Sequence, residues 1–233
     1  MKKKLLIAGL GLAVICGGLY EYWQYKITKD FPVTSWNSES KKPIIMYISG
    51  DAGFNTFSKS LSEHLHEAGY DVFALNSKAY FWNKKTPTQA ASEVERYINH
   101  QLDGRDNQHV ILMGFSFGAD VTPFIYNRFS DQMKKNIEKI IVIGPSQSND
   151  FEIHLSEYVG VTKKRHFLVI PEINKITDKP ILLIMSDLEY MYFPFKKIKL
   201  GNNYKMLHIH GDHQYDNNTK MLADTLVSQF PTS

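Results

Sequence analysis

The chain has 233 residues and a formal net charge of +3 at pH 7, and this length allows one α/β domain with a large buried core. Lys2, Lys3 and Lys4 account for the whole positive excess, because 27 Lys and Arg residues less these three equal the 24 Asp and Glu residues. Without a net basic field or a basic repeat in the remainder, the composition excludes a nucleic-acid-binding protein.

The N-terminus has the pattern of an export signal. The three lysines precede an uncharged apolar run over residues 5–19, and an aromatic cluster follows at residues 20–25. This order predicts an uncleaved signal anchor or a cleaved signal peptide within residues 1–25. Residues 26–42 are polar and are predicted to form a tether. We therefore expect a periplasmic domain, anchored in the inner membrane by the N-terminal segment or released into the periplasm after its cleavage.

The single cysteine of the chain, Cys16, lies inside this apolar run. The domain that follows, residues 43–233, therefore has no cysteine. A disulfide, a thiol nucleophile and a cysteine-ligated zinc site are all excluded there.

From residue 43 onward, strand-like and helix-like segments alternate, which predicts an α/β fold with a mostly parallel sheet flanked by helices. In chain order the strand candidates are 43–49, 71–76, 109–113, 139–143, 181–185 and 204–210. Helix candidates begin close to Phe57, at a capping box that starts at Thr86, and close to Thr219. Within the irregular part, 145–179, the segment 151–158 is predicted to form an extra strand or a lid.

The strand candidate at 109–113 leads directly into a G-x-S-x-G motif at 114–118, and a helix-like segment follows. Strand, motif and helix in this order are typical of a nucleophile elbow, in which small flanking residues permit a sharp turn that exposes the serine hydroxyl. Ser116 is therefore the candidate nucleophile. A neutral hydroxyl needs a base within hydrogen-bonding reach before it can attack an ester.

Candidates for an acid and a histidine follow Ser116 in that order, which is the order of α/β hydrolases. His213 lies in the loop after the last strand candidate and is the predicted base. The strand candidate at 181–185 is followed by the segment S-D-L-E. Glu189 is the preferred acid, because many hydrolases place the acid three residues beyond a small residue at this strand end. Asp187 is the alternative.

An oxyanion hole requires two backbone donors that point at the developing negative charge. The N–H group of Phe117, directly after the nucleophile, is one candidate. The second is expected from the glycine-containing loop at 49–54. Aligned with the usual His-Gly-x loop, Asp51 supplies this donor, with Ala52 as the second choice.

Residues 208–213 read H-x-H-x-D-H, which is a zinc-binding pattern of metallo-β-lactamase-like enzymes. Such a site needs further ligands downstream, but no histidine follows this pattern. We therefore predict no metal site and no cofactor, and we interpret His208 and His210 as strand residues near the site or at the sheet edge.

Several motifs together resemble the VirJ/AcvB family of bacterial virulence proteins. They are S-G-D-A-G-F at 49–54, Y-F-W at 80–82 with K-K-T-P at 84–87, S-F-G-A-D-V at 116–121, F-E-I-H at 151–154 and the loop around His213. The resemblance covers nearly all of residues 43–230. It implies an α/β-hydrolase fold with a Ser-acid-His triad and no cofactor.

The resemblance also implies an envelope serine esterase that is associated with type IV secretion and virulence. Some members are implied to hydrolyse aminoacylated phosphatidylglycerol, especially the lysyl form. The expected partners are therefore the phospholipid membrane surface, this lipid substrate and secretion-system proteins. The alternatives are a non-catalytic envelope chaperone or binding module on the same fold, and an esterase with a different ester substrate.

Three further residues are candidates for substrate binding. Asp120 lies one helical turn after Ser116 and could meet the lysyl ammonium, although a first-turn acid that favours the helix dipole is an equal alternative. Tyr80 and Trp82 could line an acyl or headgroup pocket, with ordinary core packing as the alternative.

Overall fold

The computed structural model describes residues 30–107, 109–153 and 165–230. The predicted signal anchor or signal peptide at 1–25 lies outside these ranges, as do residues 154–158 of the predicted extra strand or lid. Among the helices in the described ranges, none has the length and apolarity needed to cross a membrane. All elements described below belong to one compact unit that begins at Pro32.

The described strands are β1 (Val33–Trp36), β2 (Ile44–Ile48), β3 (Val72–Leu75), β4 (Val110–Phe115), β5 (Ile137–Ile143), β6 (Ser148–Asn149), β7 (Phe167–Leu168), β8 (Ile181–Met185) and β9 (Tyr204–His208). Seven of them form one sheet of order β1-β3-β2-β4-β5-β8-β9. Its strands are parallel except β1, which pairs antiparallel with β3 at one edge. The predicted mostly parallel sheet is thus confirmed.

The described α-helices are α1 (Thr56–Glu67), α2 (Ser77–Tyr80), α3 (Pro87–Leu102), α4 (Phe117–Asn127), α5 (Asp131–Asn136), α6 (Val169–Ile173), α7 (Asp187–Tyr192) and α8 (Thr219–Val227). The starts of the longer helices follow their capping residues. The Asn55 side chain accepts from the Ser58 N–H group at 3.0 Å, and the Thr86 hydroxyl accepts from the Gln89 N–H group at 3.1 Å.

The strands in the middle of the sheet are apolar on both faces, because helices cover both sides. Every residue of β2, β3, β4 and β8 is buried. Leu61 and Leu65 of α1 and Leu222 and Leu226 of α8 pack in one cluster with strand residues. On the other side, α4 packs against α3 and α6.

The sheet begins earlier than the sequence predicts, because β1 lies within the predicted tether, 26–42. Its four residues pair with the whole of β3. The buried Asp71 carboxylate holds the segment after β1 by accepting from the N–H groups of Ser38 and Ser40 at 2.8 and 3.0 Å. Arg105 completes this network with an ion pair to Asp71 at 2.7 Å.

Two strands also end two residues away from their predicted ends. β4 continues through Phe115, up to the nucleophile candidate, while β9 ends at His208. In the irregular part, β6 and β7 form a separate antiparallel pair. The loops after β2, β4, β5, β8 and β9 meet at the carboxyl edge of the parallel sheet, where ligand sites of such sheets generally lie.

Candidate active site

Ser116 occupies a strained turn between β4 and α4. Its backbone has φ 54° and ψ −119°, a conformation that non-glycine residues rarely adopt. The Ser116 N–H group donates to the Ile143 carbonyl at 2.8 Å, which ties the turn to β5. The turn has the geometry of a nucleophile elbow, as the motif predicted.

The two glycines of the motif are required by close packing of the backbone. A Cβ atom at Gly118 would lie 2.0 Å from the Ile48 carbonyl oxygen, so α4 can approach β2 only without a side chain there. A Cβ atom at Gly114 would lie 2.3 Å from the Gly118 carbonyl oxygen. The helix can therefore start directly above the sheet, with the serine at its N-terminus.

The imidazole of His213 lies beside this serine. Its Nε2 atom is 2.9 Å from Ser116 Oγ, and its Nδ1 atom is 2.6 Å from Glu189 Oε1. With the ring proton on Nδ1 donated to the carboxylate, Nε2 is the acceptor for the serine hydroxyl. The ring also stacks on Phe115, with centroids 5.0 Å apart, and Gly144 leaves the space that the ring occupies.

Glu189 is oriented by the first turn of α7. Its second oxygen, Oε2, accepts from the N–H group of Ser186 at 2.9 Å and from the Ser186 hydroxyl, which form a capping box with it. The structure thus brings the predicted nucleophile, base and preferred acid into one hydrogen-bonded series.

The charge of Glu189 raises the pKa of its partner. Burial of the His213 ring opposes protonation, but the Glu189 carboxylate, with smaller contributions from Asp51 and Asp120, raises the pKa of His213 above its ordinary value. In return, hydrogen bonds from His213 and Ser186 outweigh burial and lower the pKa of Glu189. The carboxylate is therefore ionised and stabilises an imidazolium.

Asp187, the alternative acid, contacts His208 and His210 instead of His213. Its Oδ1 atom lies 2.8 Å from His208 Nε2 and 3.0 Å from His210 Nδ1, and its Oδ2 atom accepts from the Gly211 N–H group at 3.0 Å. These bonds, led by that of Gly211, lower the pKa of Asp187. The first two histidines of the zinc-like pattern, His208 and His210, thus meet Asp187 at the exposed end of β9, whereas its third histidine, His213, contacts Ser116.

The two predicted oxyanion donors lie at the pocket beside Ser116, which both Asp51 and Phe117 line. Within the described residues, neither N–H group donates to a protein acceptor. The N–H group of Ala52, the second choice, instead donates to Asp51 Oδ1 at 2.8 Å. Ser49 fixes this loop, because its hydroxyl accepts from the Ser77 N–H group at 3.0 Å.

The pocket has a volume of about 150 Å³ and a charged lining. Besides Ser116 and the two oxyanion candidates, it is lined by Asp120, Ser146, Glu152, Ile153 and Arg165. Sequence reasoning did not single out Ser146, Glu152 or Arg165 as site residues. For Ser146 a signal existed, since it lies just beyond the carboxyl end of β5, next to the elbow strand.

Asp120 lies in this lining but is almost completely buried. Its two oxygens accept from the N–H group and the hydroxyl of Ser146, each at 2.6 Å. Burial raises the pKa of Asp120 to about 7, although the Ser146 hydrogen bonds and the charge of Arg165 act in the opposite direction.

Tyr80 and Trp82 are not among the residues that line the pocket at Ser116. The Tyr80 hydroxyl donates to Glu93 at 2.6 Å, and its buried ring packs against Phe81. Trp82 is half exposed and lines a neighbouring cavity of about 440 Å³ together with Ala52 and Phe54. Tyr80 thus packs in the core, and Trp82 lines a cavity separate from the one at Ser116.

Comparisons with known proteins agree with this fold. The family model described as bacterial virulence protein (VirJ) matches residues 43–233. Among curated proteins, none has significant sequence similarity to the chain.

Several solved structures share this fold. Est1E from Butyrivibrio proteoclasticus is 16% identical, with a TM-score of 0.59 over 84% of this chain and 90% of that one. MenH from S. aureus is 12% identical, with a TM-score of 0.60 over 84% and 96% of the chains. The Pyrococcus furiosus esterase Pf2001 is 14% identical, with a TM-score of 0.60 over 84% and 83%. At these identities the likeness establishes the α/β-hydrolase fold.

Proposed function

Because the chain belongs to the VirJ family of bacterial virulence proteins, we propose that it is an envelope serine esterase that hydrolyses the aminoacyl ester of aminoacylated phosphatidylglycerol, with the lysyl form favoured. The observation that carries the proposal is the series of contacts from Ser116 through His213 to Glu189, at 2.9 and 2.6 Å. The esterases that share its fold support hydrolytic chemistry.

In the proposed reaction, Ser116 Oγ attacks the aminoacyl carbonyl carbon while His213 Nε2 accepts the hydroxyl proton. The N–H groups of Phe117 and Asp51 stabilise the oxyanion. When the ester C–O bond breaks, His213 returns the proton to the glycerol oxygen of phosphatidylglycerol. Water then attacks the aminoacyl-enzyme and gives a proton to His213, which passes it to Ser116 as the free amino acid leaves.

The charges around the pocket suit this substrate. An aminoacyl ester carries an ammonium group, and the lysyl form carries two. The carboxylates of Asp51, Asp120 and Glu152 are the candidate partners for these cations. Arg165 adds a guanidinium to the same lining, which is suited to the lipid phosphate. A site with acids close to the serine and one arginine matches a cationic acyl group on an anionic lipid.

We also propose the cellular setting that follows from the N-terminal segment. Residues 1–25 would anchor the chain in the inner membrane, or direct its export before cleavage, with the domain in the periplasm. There the domain would reach lipid headgroups, and it could meet the secretion-system proteins that the family resemblance implies.

The first experiment uses the full chain in vesicles that contain lysyl-phosphatidylglycerol, with free lysine followed by mass spectrometry. We expect lysine release that falls by about 10⁶-fold in Ser116→Ala, because the nucleophile is lost. Asp187→Asn serves as a matched control next to the site and should keep the activity.

A fluorophosphonate probe, which labels activated serines, separates the remaining outcomes. Labelling of the parent but not of Ser116→Ala, without lysine release, would contradict the lipid assignment and indicate an esterase with another substrate. If neither lysine release nor labelling occurs, the enzyme proposal is wrong and a binding module or chaperone takes its place.

A further inference from the structure

Three side chains that can ligate a metal converge at the exposed end of β9. Asp187 Oδ1 lies 2.8 Å from His208 Nε2 and 3.0 Å from His210 Nδ1. These three atoms all lie within 4.8 Å of one another, and no other His, Asp or Glu side chains form such a group of three within the part of the chain that the structure describes. Two imidazoles and one carboxylate are a common ligand set for a transition-metal ion.

The backbone that carries the two histidines is fixed by the neighbouring strand. β8 and β9 are paired as far as Met185 and His208. The Ile209 N–H group then donates to the Met185 carbonyl at 2.9 Å, so the pairing continues past the end of β9. Because successive side chains of an extended chain alternate in direction, His208 and His210 lie on the same side.

Neighbouring groups also orient the carboxylate and one imidazole. Asp187 Oδ2 accepts from the Gly211 N–H group at 3.0 Å, which leaves Oδ1 to face the two histidines. The His208 ring stacks on Tyr190, with centroids 4.1 Å apart and an angle of 5° between the planes. Supporting contacts of this kind orient the ligands of known metal sites and raise their affinity.

The contacts within the group suit a shared cation. Both imidazole nitrogens face the same carboxylate oxygen, so hydrogen bonding would require a proton on each of these nitrogens. A divalent cation would instead accept a lone pair from each neutral ring and from the carboxylate. Tetrahedral zinc, with bonds of about 2.1 Å, holds its ligand atoms about 3.4 Å apart, so the ligands need to separate by only about half an ångström.

The group is also accessible to an ion from solvent. The side chain of His210 is 87% exposed and that of Asp187 is 53% exposed, whereas that of His208 is mostly covered. A metal ion can therefore enter without movement of a buried element, and a water molecule can take the fourth position beside three protein ligands.

We propose that Asp187, His208 and His210 bind one Zn²⁺ ion, which joins the start of α7 to the end of β9. Mg²⁺ and Ca²⁺ prefer oxygen ligands, so the two imidazoles favour a transition metal. No histidine follows the H-x-H-x-D-H pattern in the chain, which is why the sequence predicts no metal site. The structure supplies the third ligand, Asp187, from before the pattern, while His213 at its end is held by Ser116 and Glu189.

The proposed ion takes no part in ester hydrolysis. None of its three ligands lines the pocket at Ser116, and none forms a hydrogen bond with Ser116, His213 or Glu189 within the described residues. Removal of zinc should therefore leave lysine release unchanged. The proposal does not require the esterase activity.

The test measures the binding of Zn²⁺ to the full chain in detergent, without a histidine tag and after treatment with a chelator. Isothermal titration calorimetry should show one site, and excess Mg²⁺ should not compete for it. His210→Ala and Asp187→Asn should each weaken the binding by at least about 10–100-fold, the loss that removal of even a supporting group causes. His100→Ala, which removes an exposed histidine of α3, is the matched control and should keep the affinity.

Two further readouts separate a lost ligand from a misfolded variant. Zn²⁺ should raise the thermal unfolding midpoint of the parent and of His100→Ala, because it binds the native state. It should not raise that of His210→Ala, whose midpoint without metal should equal that of the parent. Co²⁺ in place of Zn²⁺ should give the visible absorption of a four-coordinate ion in the parent but not in His210→Ala.

Absence of Zn²⁺ binding to the parent would overturn the proposal, as would equal affinities in the parent, His210→Ala and Asp187→Asn. Binding that is lost in His213→Ala but kept in His210→Ala would place the ion at the triad and would also overturn it. Because no lipid substrate is present, a failure of the esterase proposal leaves these results unaffected.

Discussion

The two oxygens of the Glu189 carboxylate have different partners. One contacts the His213 ring, and the other accepts from the backbone and the hydroxyl of Ser186. The carboxylate is therefore held at both ends and cannot rotate away from the imidazole. Asp187, two residues earlier, lies on the other side of the helix start and contacts His208 and His210.

This arrangement predicts different effects for two neutral, nearly isosteric substitutions. Glu189→Gln should lower kcat by about 10²–10⁴-fold, because the imidazole loses the acid that orients and stabilises it. Since the carboxylate raises the pKa of His213, the acid limb of the pH–rate profile should also move to lower pH. Asp187→Asn should leave both unchanged. A pH profile of kcat/KM for each variant measures the effect; the reverse order of sensitivity would assign the acid to Asp187.

The raised pKa of Asp120 predicts a second pH effect, which concerns substrate binding. Its pKa is raised to about 7, so its carboxyl group is neutral at lower pH and negatively charged at higher pH. The KM for lysyl-phosphatidylglycerol should therefore fall as the pH rises through about 7. Asp120→Asn should remove this dependence. Steady-state KM values across this pH range test it, with an uncharged acyl ester as the control substrate; the same dependence for that ester would argue against a role of Asp120 in binding the cation.

At the scale of elements, the site depends on how closely α4 approaches β2. Gly118→Ala would place a methyl group within 2.0 Å of the Ile48 carbonyl oxygen, so the helix must shift. We expect a loss of about 3 kcal/mol in the free energy of unfolding and a drop in kcat. Gly104→Asn is the control, since a Cβ atom at Gly104 has open space and Asn tolerates its positive φ. Urea unfolding of both variants measures their free energies of unfolding. Equal values would mean that α4 shifts without a loss of stability.

Another element-scale prediction concerns the Asp71 network that holds the segment after β1. Asp71→Asn should lower the free energy of unfolding by about 3 kcal/mol, because the buried pair with Arg105 loses one charge. Burial raises the pKa of Asp71, but hydrogen bonds from Ser38, Arg105 and Ser40 outweigh it and hold this pKa below its ordinary value. The contribution of Asp71 to stability is thus present above the ordinary pKa of an aspartate and is lost as the pH falls through the lowered pKa. Acid titration of stability should show this loss in the parent chain but not in Asp71→Asn.

Some elements could be predicted from the sequence and others could not. The buried strands were found because their continuous apolar runs and flanking turns are local signals. β1 was missed because V-T-S-W is short and follows a polar segment, and its pairing depends on β3 and on Asp71, which are distant in the chain. The same limit applies to Glu152 and Arg165, whose position at the pocket depends on the path of the chain between β5 and β8.

The candidate triad was the most predictable part of the site. The position of Ser116 follows from its motif, and that of His213 from the loop after the last strand. The sequence alone favours Glu189 as the acid but keeps Asp187 as the alternative, because both lie in the same turn. The capping box with Ser186 directs Glu189 inward, and this choice depends on side-chain geometry that residue spacing does not reveal.

At the scale of the whole molecule, the two edges of the sheet carry different kinds of side chain. The carboxyl edge has the candidate triad, the charged pocket and the exposed apolar side chains of α7. The amino edge has the Asp71–Arg105 network and polar loops. If the carboxyl edge faces a bilayer, one orientation of the domain brings the pocket to the headgroups and leaves the amino edge in water.

The size of the pocket has a consequence for kinetics. A volume of about 150 Å³ is below the roughly 300–1,000 Å³ of ordinary small-molecule sites, so it can take an aminoacyl group but not two fatty acyl chains. The tails of a lipid substrate would then stay in the bilayer throughout turnover, and encounters between enzyme and substrate would take place in two dimensions. Diluting lysyl-phosphatidylglycerol with inert lipid, at constant bulk concentration, should therefore slow lysine release in proportion to its surface fraction. A rate that follows bulk concentration alone would mean that the lipid leaves the membrane before it reacts.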